Sequence, residues 1–150
     1  MNKKTIAVLL VVLTAAAGAA WWQFGMPQPV AMEDSGNAAQ KADLIRLASP
    51  RPNETITSPL TITGEARGYW YFEASFPVVL VDWDGRIIAQ GIATAKGEWM
   101  TSDFVPFEAK LEFVADSNAY SNRGALILRK DNPSGLPEHD DALEIPVVIK

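Results

Sequence analysis

From Leu44 onward the chain shows no convincing helical period; its apolar residues recur at every second position instead. Phe107, Ala109, Leu111 and Phe113 fall on one side of an extended run, with Glu108, Lys110 and Glu112 on the other. Leu60, Ile62 and Gly64 oppose Thr61, Thr63 and Glu65 in the same way, and Ile145, Val147 and Ile149 oppose Pro146 and Val148. Successive side chains of a strand point to opposite faces, so this period buries one face and wets the other. Short β-rich runs between Pro, Gly, Asn and Asp breaks predict strands at Leu44–Ala48, Leu60–Ala66, Val78–Trp83, Arg86–Thr94, Phe107–Val114, Ala125–Arg129 and Leu143–Ile149. Val78 to Val81 is apolar on both faces and predicts a central strand with cover on each side. Asp84-Gly85, between two apolar runs, predicts a hairpin, because Gly readily takes the positive φ such a turn requires. Pro146 cannot donate to a ladder and predicts an edge position for the last strand. Seven strands without a helix predict an all-β domain of two packed antiparallel sheets.

The first 43 residues follow other rules. Lys3 and Lys4 precede an uncharged run from Thr5 to Phe24, long enough as a helix to span the ~30 Å hydrocarbon core of a bilayer. The lysines favour the cytoplasmic side, which sends everything after Phe24 across the membrane. Small residues at Ala15-Ala16-Ala17 or Ala17-Gly18-Ala19 suit a cleaved signal peptide. The full length of the run, with Trp21-Trp22 where an interfacial belt would lie, suits an uncleaved signal anchor. On either reading of residues 1–24 the domain is extracytoplasmic, in a membrane-tethered or a secreted protein. Residues 25–43, with Pro27, Pro29, Gly36 and small polar side chains, predict a flexible linker, and residues 44–150 the folded domain.

All eighteen acidic residues follow residue 32. Setting Lys3 and Lys4 aside leaves eleven basic side chains against them, a net charge of −7. A domain of that sign repels nucleic-acid phosphates, and no run of Lys and Arg relieves it, so no nucleic-acid partner is expected. Zero cysteines exclude disulfides, thiolate metal sites, Fe–S clusters and a Cys nucleophile. The single histidine, His139, excludes a multi-histidine metal site, and no cofactor is expected.

The links between the strands are more distinctive than the strands. They are Ser49-Pro50-Arg51-Pro52-Asn53, Ser58-Pro59-Leu60, Gly64-Glu65-Ala66-Arg67-Gly68, Trp70-Tyr71-Phe72-Glu73-Ala74-Ser75-Phe76, Asp84-Gly85, Trp99-Met100-Thr101, Pro106-Phe107 and Asn132-Pro133-Ser134-Gly135. In that order and spacing, over roughly residues 45–149, they resemble the immunoglobulin-like domain named for bacterial spore germination, the second of the "Gmad" families. The resemblance implies an immunoglobulin-like antiparallel β-sandwich on an envelope or secreted protein. It brings no catalytic residues and no defined ligand.

Arg67 and Glu73 flank the tight aromatic block and admit two readings. Exposed, they would border a platform of Trp70 and Tyr71 for a sugar ring or a peptide. Partly buried, they would form an ion pair fixing the loop, with Trp70 or Phe72 plugging the end of the sandwich. Trp99 is a candidate to share a surface with Trp70, whereas Trp83, at the end of an apolar strand, is expected in the core. Asp82-Trp83-Asp84-Gly85 resembles a piece of a calcium loop but lacks the remaining ligands, which leaves the hairpin. Glu138-His139-Asp140-Asp141 reads as a solvated loop before the last strand. Asn132-Pro133-Ser134-Gly135 predicts a turn whose Asn and Ser side chains bond backbone amides, with Asn132 as a ligand-facing candidate if the loop is functional.

Catalysis finds little support. His139 is the only possible histidine base, and no Gly-x-Ser-x-Gly elbow accompanies it. A carboxylate-based hydrolase is a remote alternative, since a sandwich this small offers little depth for raising a general acid's pKa. Two non-catalytic functions remain. A recognition module for an envelope protein, peptide or glycan predicts an exposed patch containing Trp70 or Trp99. A structural or assembly subunit pairing through sheet edges predicts buried aromatics and an exposed edge near Leu143–Ile149.

Overall fold

The computed structural model describes residues 35–150. The signal or anchor run of residues 1–24 and the linker residues 25–34 lie outside the described residues. Eight strands follow one another: β1 (Ile45–Ser49), β2 (Thr55–Ile56), β3 (Leu60–Arg67), β4 (Ser75–Asp82), β5 (Ile87–Ala95), β6 (Phe104–Leu111), β7 (Arg123–Arg129) and β8 (Ala142–Ile149). A four-residue helix, α1 (Ala38–Lys41), precedes them, and 3-10 turns occupy Gly68–Trp70 and Pro137–His139. Among the described residues no helix is long and apolar enough to cross a membrane.

The strands form a single hydrogen-bonded ladder in the order β1-β3-β6-β5-β4-β7-β8-β2. It is mixed, because β2 runs parallel to β8 while the other pairings are antiparallel. The expected two sheets are therefore one sheet, and the short β5–β6 joint in its middle explains the difference. β5 and β6 share only two residue pairs, whereas β3 and β6 share eight. At that joint the ladder curls, and the inner faces close on one core of Ile62, Leu80, Leu126, Leu128, Leu143 and Ile145. Phe76 of β4 and Phe107 of β6 meet edge to face across it, 5.0 Å apart, a geometry that aromatic quadrupoles favour.

The period of two holds in detail: Leu143, Ile145, Val147 and Ile149 of β8 are all buried. Strand ends moved where a residue's hydrogen bonds face away from its partner. β6 begins at Phe104, earlier than expected, because Pro106 turns its bonding groups from β3 and its carbonyl accepts from Lys96 N at 2.8 Å. The missing N–H thus interrupts nothing in the β3–β6 ladder. Val79 is buried as expected, but between in-sheet neighbours Gln90 and Ile127 on the outer face.

The outer edge of β8, expected to be open, is closed along its length. Asn37 crosses its first half: Asn37 Nδ2 donates to Ala142 O (2.9 Å), Glu144 N donates to Asn37 Oδ1 (2.8 Å), and Asn37 N donates to Glu144 O (3.3 Å). Pro146 has no N–H to satisfy, and its carbonyl accepts from Asn53 N. β2 covers the remainder, with Val148 N donating to Glu54 O and Lys150 N to Ile56 O. Lys41 pairs with Asp141, and Gly36, at φ +64°, passes so near the Glu144 carbonyl that a Cβ would lie 1.9 Å from it. The last part of the segment read as linker is therefore a strap tied to the sheet, which blunts an edge that would otherwise invite pairing.

Candidate functional site

The residues singled out from sequence gather mostly at one end of the sandwich, where β3 leaves and β4 begins. They build a plug there. Trp70 has 0% of its surface exposed, and its indole N–H finds no partner among the described residues. Gly68 allows this burial: a Cβ there would sit 1.9 Å from Thr101 O and 2.2 Å from Trp99 O, so only glycine lets the 99–101 loop close over the turn. Tyr71 is buried beside Phe76, with ring centroids 5.2 Å apart, and its hydroxyl donates to Val105 O at 2.6 Å. Burial pushes its phenol well above the ordinary tyrosine range. Trp99 is half-buried and packs against the core. The platform expected of Trp70 and Tyr71 does not exist; both rings are interior.

Arg67 and Glu73 do not pair. Arg67 Nε donates to Asp43 O (3.0 Å) and Nη1 to Ser102 O (3.2 Å), while its guanidinium carbon lies 4.0 Å from the Phe104 ring centre. Arg46 approaches the same ring at 4.0 Å and bonds Glu65 Oε1 at 3.1 Å. Arg67 thus clamps the strap-side loop to the 99–103 loop. Glu73 stands exposed on a two-residue turn, with Glu73 at φ 49° and Ala74 at φ 61°, closed by reciprocal bonds between Phe72 and Ser75.

Asn132 serves its own loop. Its Nδ2 donates to Leu136 O (2.9 Å) and Asp140 Oδ1 (2.7 Å), and its Oδ1 accepts from Ser134 Oγ at 2.5 Å. The turn is as expected, but Asn132 bonds a carbonyl, and only Ser134 accepts from an amide, Leu136 N. Asp131 N, donating to Trp70 O, ties this loop to the plug.

Tyr69 and Phe72 stand exposed beside the plug, while at the other end of β4 two exposed rings pack on each other. Trp83, expected in the core, is 43% exposed, and Tyr120 is 90% exposed; their rings pack 5.3 Å apart at 51°. Parity explains the first. Val78 and Leu80 face the core, so Val79, Val81 and Trp83 continue the outward side. Tyr120 sits on the loop after β6, and no pattern in the sequence marked it.

Below Trp83 is the β4–β5 hairpin, with Gly85 at φ 77°. Asp82 Oδ1 accepts from Asp84 N and Arg86 N, each at 2.9 Å, and Oδ2 lies 3.2 Å from Arg86 Nε. The Arg86 amide is the largest influence holding the Asp82 carboxyl below the usual range; desolvation comes next and opposes it, and the Asp84 amide and the Arg86 guanidinium add to the lowering. Beside Trp83 lies an open cleft of about 330 Å³, with Gly36, Asp82, Arg123, Ala125, Glu144 and Pro146 among its walls. Two acids, Asp82 and Glu144, line it, and the Asp82 carboxylate is committed to the hairpin amides.

A β-rich domain of one curled sheet, carrying an aromatic surface at one tip and a plug at the other, has the architecture of an immunoglobulin-like module. Residues 44–135 match the immunoglobulin-like domain of bacterial spore germination, and the chain belongs to that family. No curated protein and no solved structure matches it. The match ends at Gly135, before β8, although β8 is an integral strand of the ladder.

Proposed function

We propose that this chain is a non-catalytic recognition module outside the cytoplasm, tethered by its N-terminal apolar run or released by cleavage there. It contacts an envelope protein, peptide or glycan through the Trp83–Tyr120 end. One observation carries the reading: among Trp70, Trp83 and Trp99, only Trp83 stands exposed, and it does so against a second exposed ring. Aromatics with an apolar body and a polar tip are favoured at binding surfaces. The family is an immunoglobulin-like one not known as enzymatic, and its association with germination proteins supports an extracytoplasmic setting. The lysine pair and uncharged run of residues 3–24 support the same topology.

Capture of envelope material by the full chain tests the proposal. Trp83→Ala should abolish capture while the thermal transition stays in place, and Trp99→Ala should leave capture intact. Capture that survives Trp83→Ala and Tyr120→Ala refutes it. Assembly through sheet edges keeps one foothold, since β1 ends the ladder and pairs on one side only. It no longer has the β8 edge.

A further inference from the structure

We propose that the cleft beside Trp83 takes a neutral carbohydrate, the indole stacking on a sugar ring while Glu144 accepts and Arg123 donates hydrogen bonds to its hydroxyls. The inference rests on the reading of Trp83 as the contact residue and specifies what that residue meets. A volume of about 330 Å³ is at the small end of ligand sites, which run ~300–1,000 Å³. It has room for a sugar unit.

The choice among ligand classes follows from the charges on the walls. Glu144 has its backbone N–H and carbonyl taken by Asn37, and its carboxylate holds no ion pair among the described residues. Arg123 commits one N–H to Asn53 Oδ1 at 2.9 Å and keeps donors for a ligand. An anionic ligand would meet Asp82 and Glu144; a cationic one would meet Arg123. A purely apolar peptide would desolvate both charges and give neither a partner, which is costly. A sugar hydroxyl donates and accepts at once, so an acceptor and a donor flanking an aromatic face are both satisfied. The faces of sugar rings are lined with C–H groups, which suit the negative face of an indole. The strap holds the arrangement in place, because Asn37 fixes the Glu144 backbone from outside the ladder.

The test uses the full chain in detergent micelles on immobilised neutral gluco-, manno-, xylo-, galacto- and chito-oligosaccharides. Retention on at least one of them is expected. It should weaken at least tenfold in Trp83→Ala, and three- to tenfold in Glu144→Gln and in Arg123→Gln, with thermal transitions unchanged. Tyr120→Ala, on a surface loop, supplies a second aromatic deletion should Trp83→Ala fold poorly. In parallel, an envelope extract is treated with periodate or with protease before capture. Capture lost to periodate and kept after protease supports a glycan. Trp83-dependent capture that protease destroys and periodate spares overturns the carbohydrate while leaving the contact residue standing. Binding indifferent to Trp83→Ala and Tyr120→Ala overturns both, and no retention on any of the five sugars overturns the carbohydrate.

Discussion

Strand β4 has a tryptophan beyond each of its ends, and the two have opposite fates. Trp70, ahead of the strand, is wholly interior, under a 99–101 loop that reaches it only because Gly68 has no side chain. Trp83, past the strand, rides outward on the hairpin with Tyr120 against it. Their neighbours differ, since Trp70 sits in an aromatic run with Tyr69, Tyr71 and Phe72, and Trp83 sits between Asp82 and Asp84. Backbone contact differs too: one loop is folded back and tied by Arg67, Tyr71 and the Asp131 amide, while the other turns sharply on Asp82 and goes no further. Even in the covered loop the burial is selective, since Tyr69 and Phe72 remain exposed on either side of the interior Trp70 and Tyr71.

The largest expected difference between the two ends is in stability. Trp70→Ala should cost about 3–5 kcal/mol in chemical denaturation, as deletion of a buried large aromatic does. Trp83→Ala should cost within about 0.5 kcal/mol, as an exposed substitution does. Equal costs would break the comparison.

Next comes the strap. Asn37→Ala removes two side-chain bonds from the β8 edge and should cost about 1–3 kcal/mol, with faster hydrogen exchange at the Glu144 amide. A strap that is only a linker would show neither.

Tyr71 sharpens the plug through pH. An unfolded tyrosine titrates at about pH 10, and burial holds the folded one higher. The unfolded chain sheds its proton first, so this contribution is complete below about pH 10 and is lost as pH rises further. Tyr71→Phe should flatten that alkaline limb of the stability profile while costing about 1–2 kcal/mol at neutral pH, because Val105 O loses its donor.

The smallest effect has the opposite sign. Glu73 and Ala74 hold positive φ on a hairpin turn that favours Asn-Gly. Replacing both by Asn-Gly should raise stability by about 1 kcal/mol, measured by the denaturation midpoint, without touching the Trp83 end.

Much of the sheet was legible because a one-sided core writes period two into the sequence, as in β3, β6 and β8. The Asp84-Gly85 hairpin was legible from turn chemistry alone. Thr55–Ile56 was not, since two residues carry no period, and its parallel seat on β8 depends on where the chain returns. The curling of two expected sheets into one depends on two pairs between β5 and β6, which no local pattern encodes. The site was misread where burial depends on distant segments. Trp70 lies under residues about thirty positions away, and Arg67 bonds Ser102 instead of the nearer Glu73. Trp83 was within reach, because strand parity from Leu80 already turned it outward.

The most direct measurement of where this module makes contact is a residue-resolved amide shift map of the full chain in micelles as envelope extract is added. Perturbations confined to residues 82–86 and 119–125, with 68–72 and 99–103 silent, are predicted. The converse map, with the plug responding and the Trp83 hairpin silent, would contradict the account.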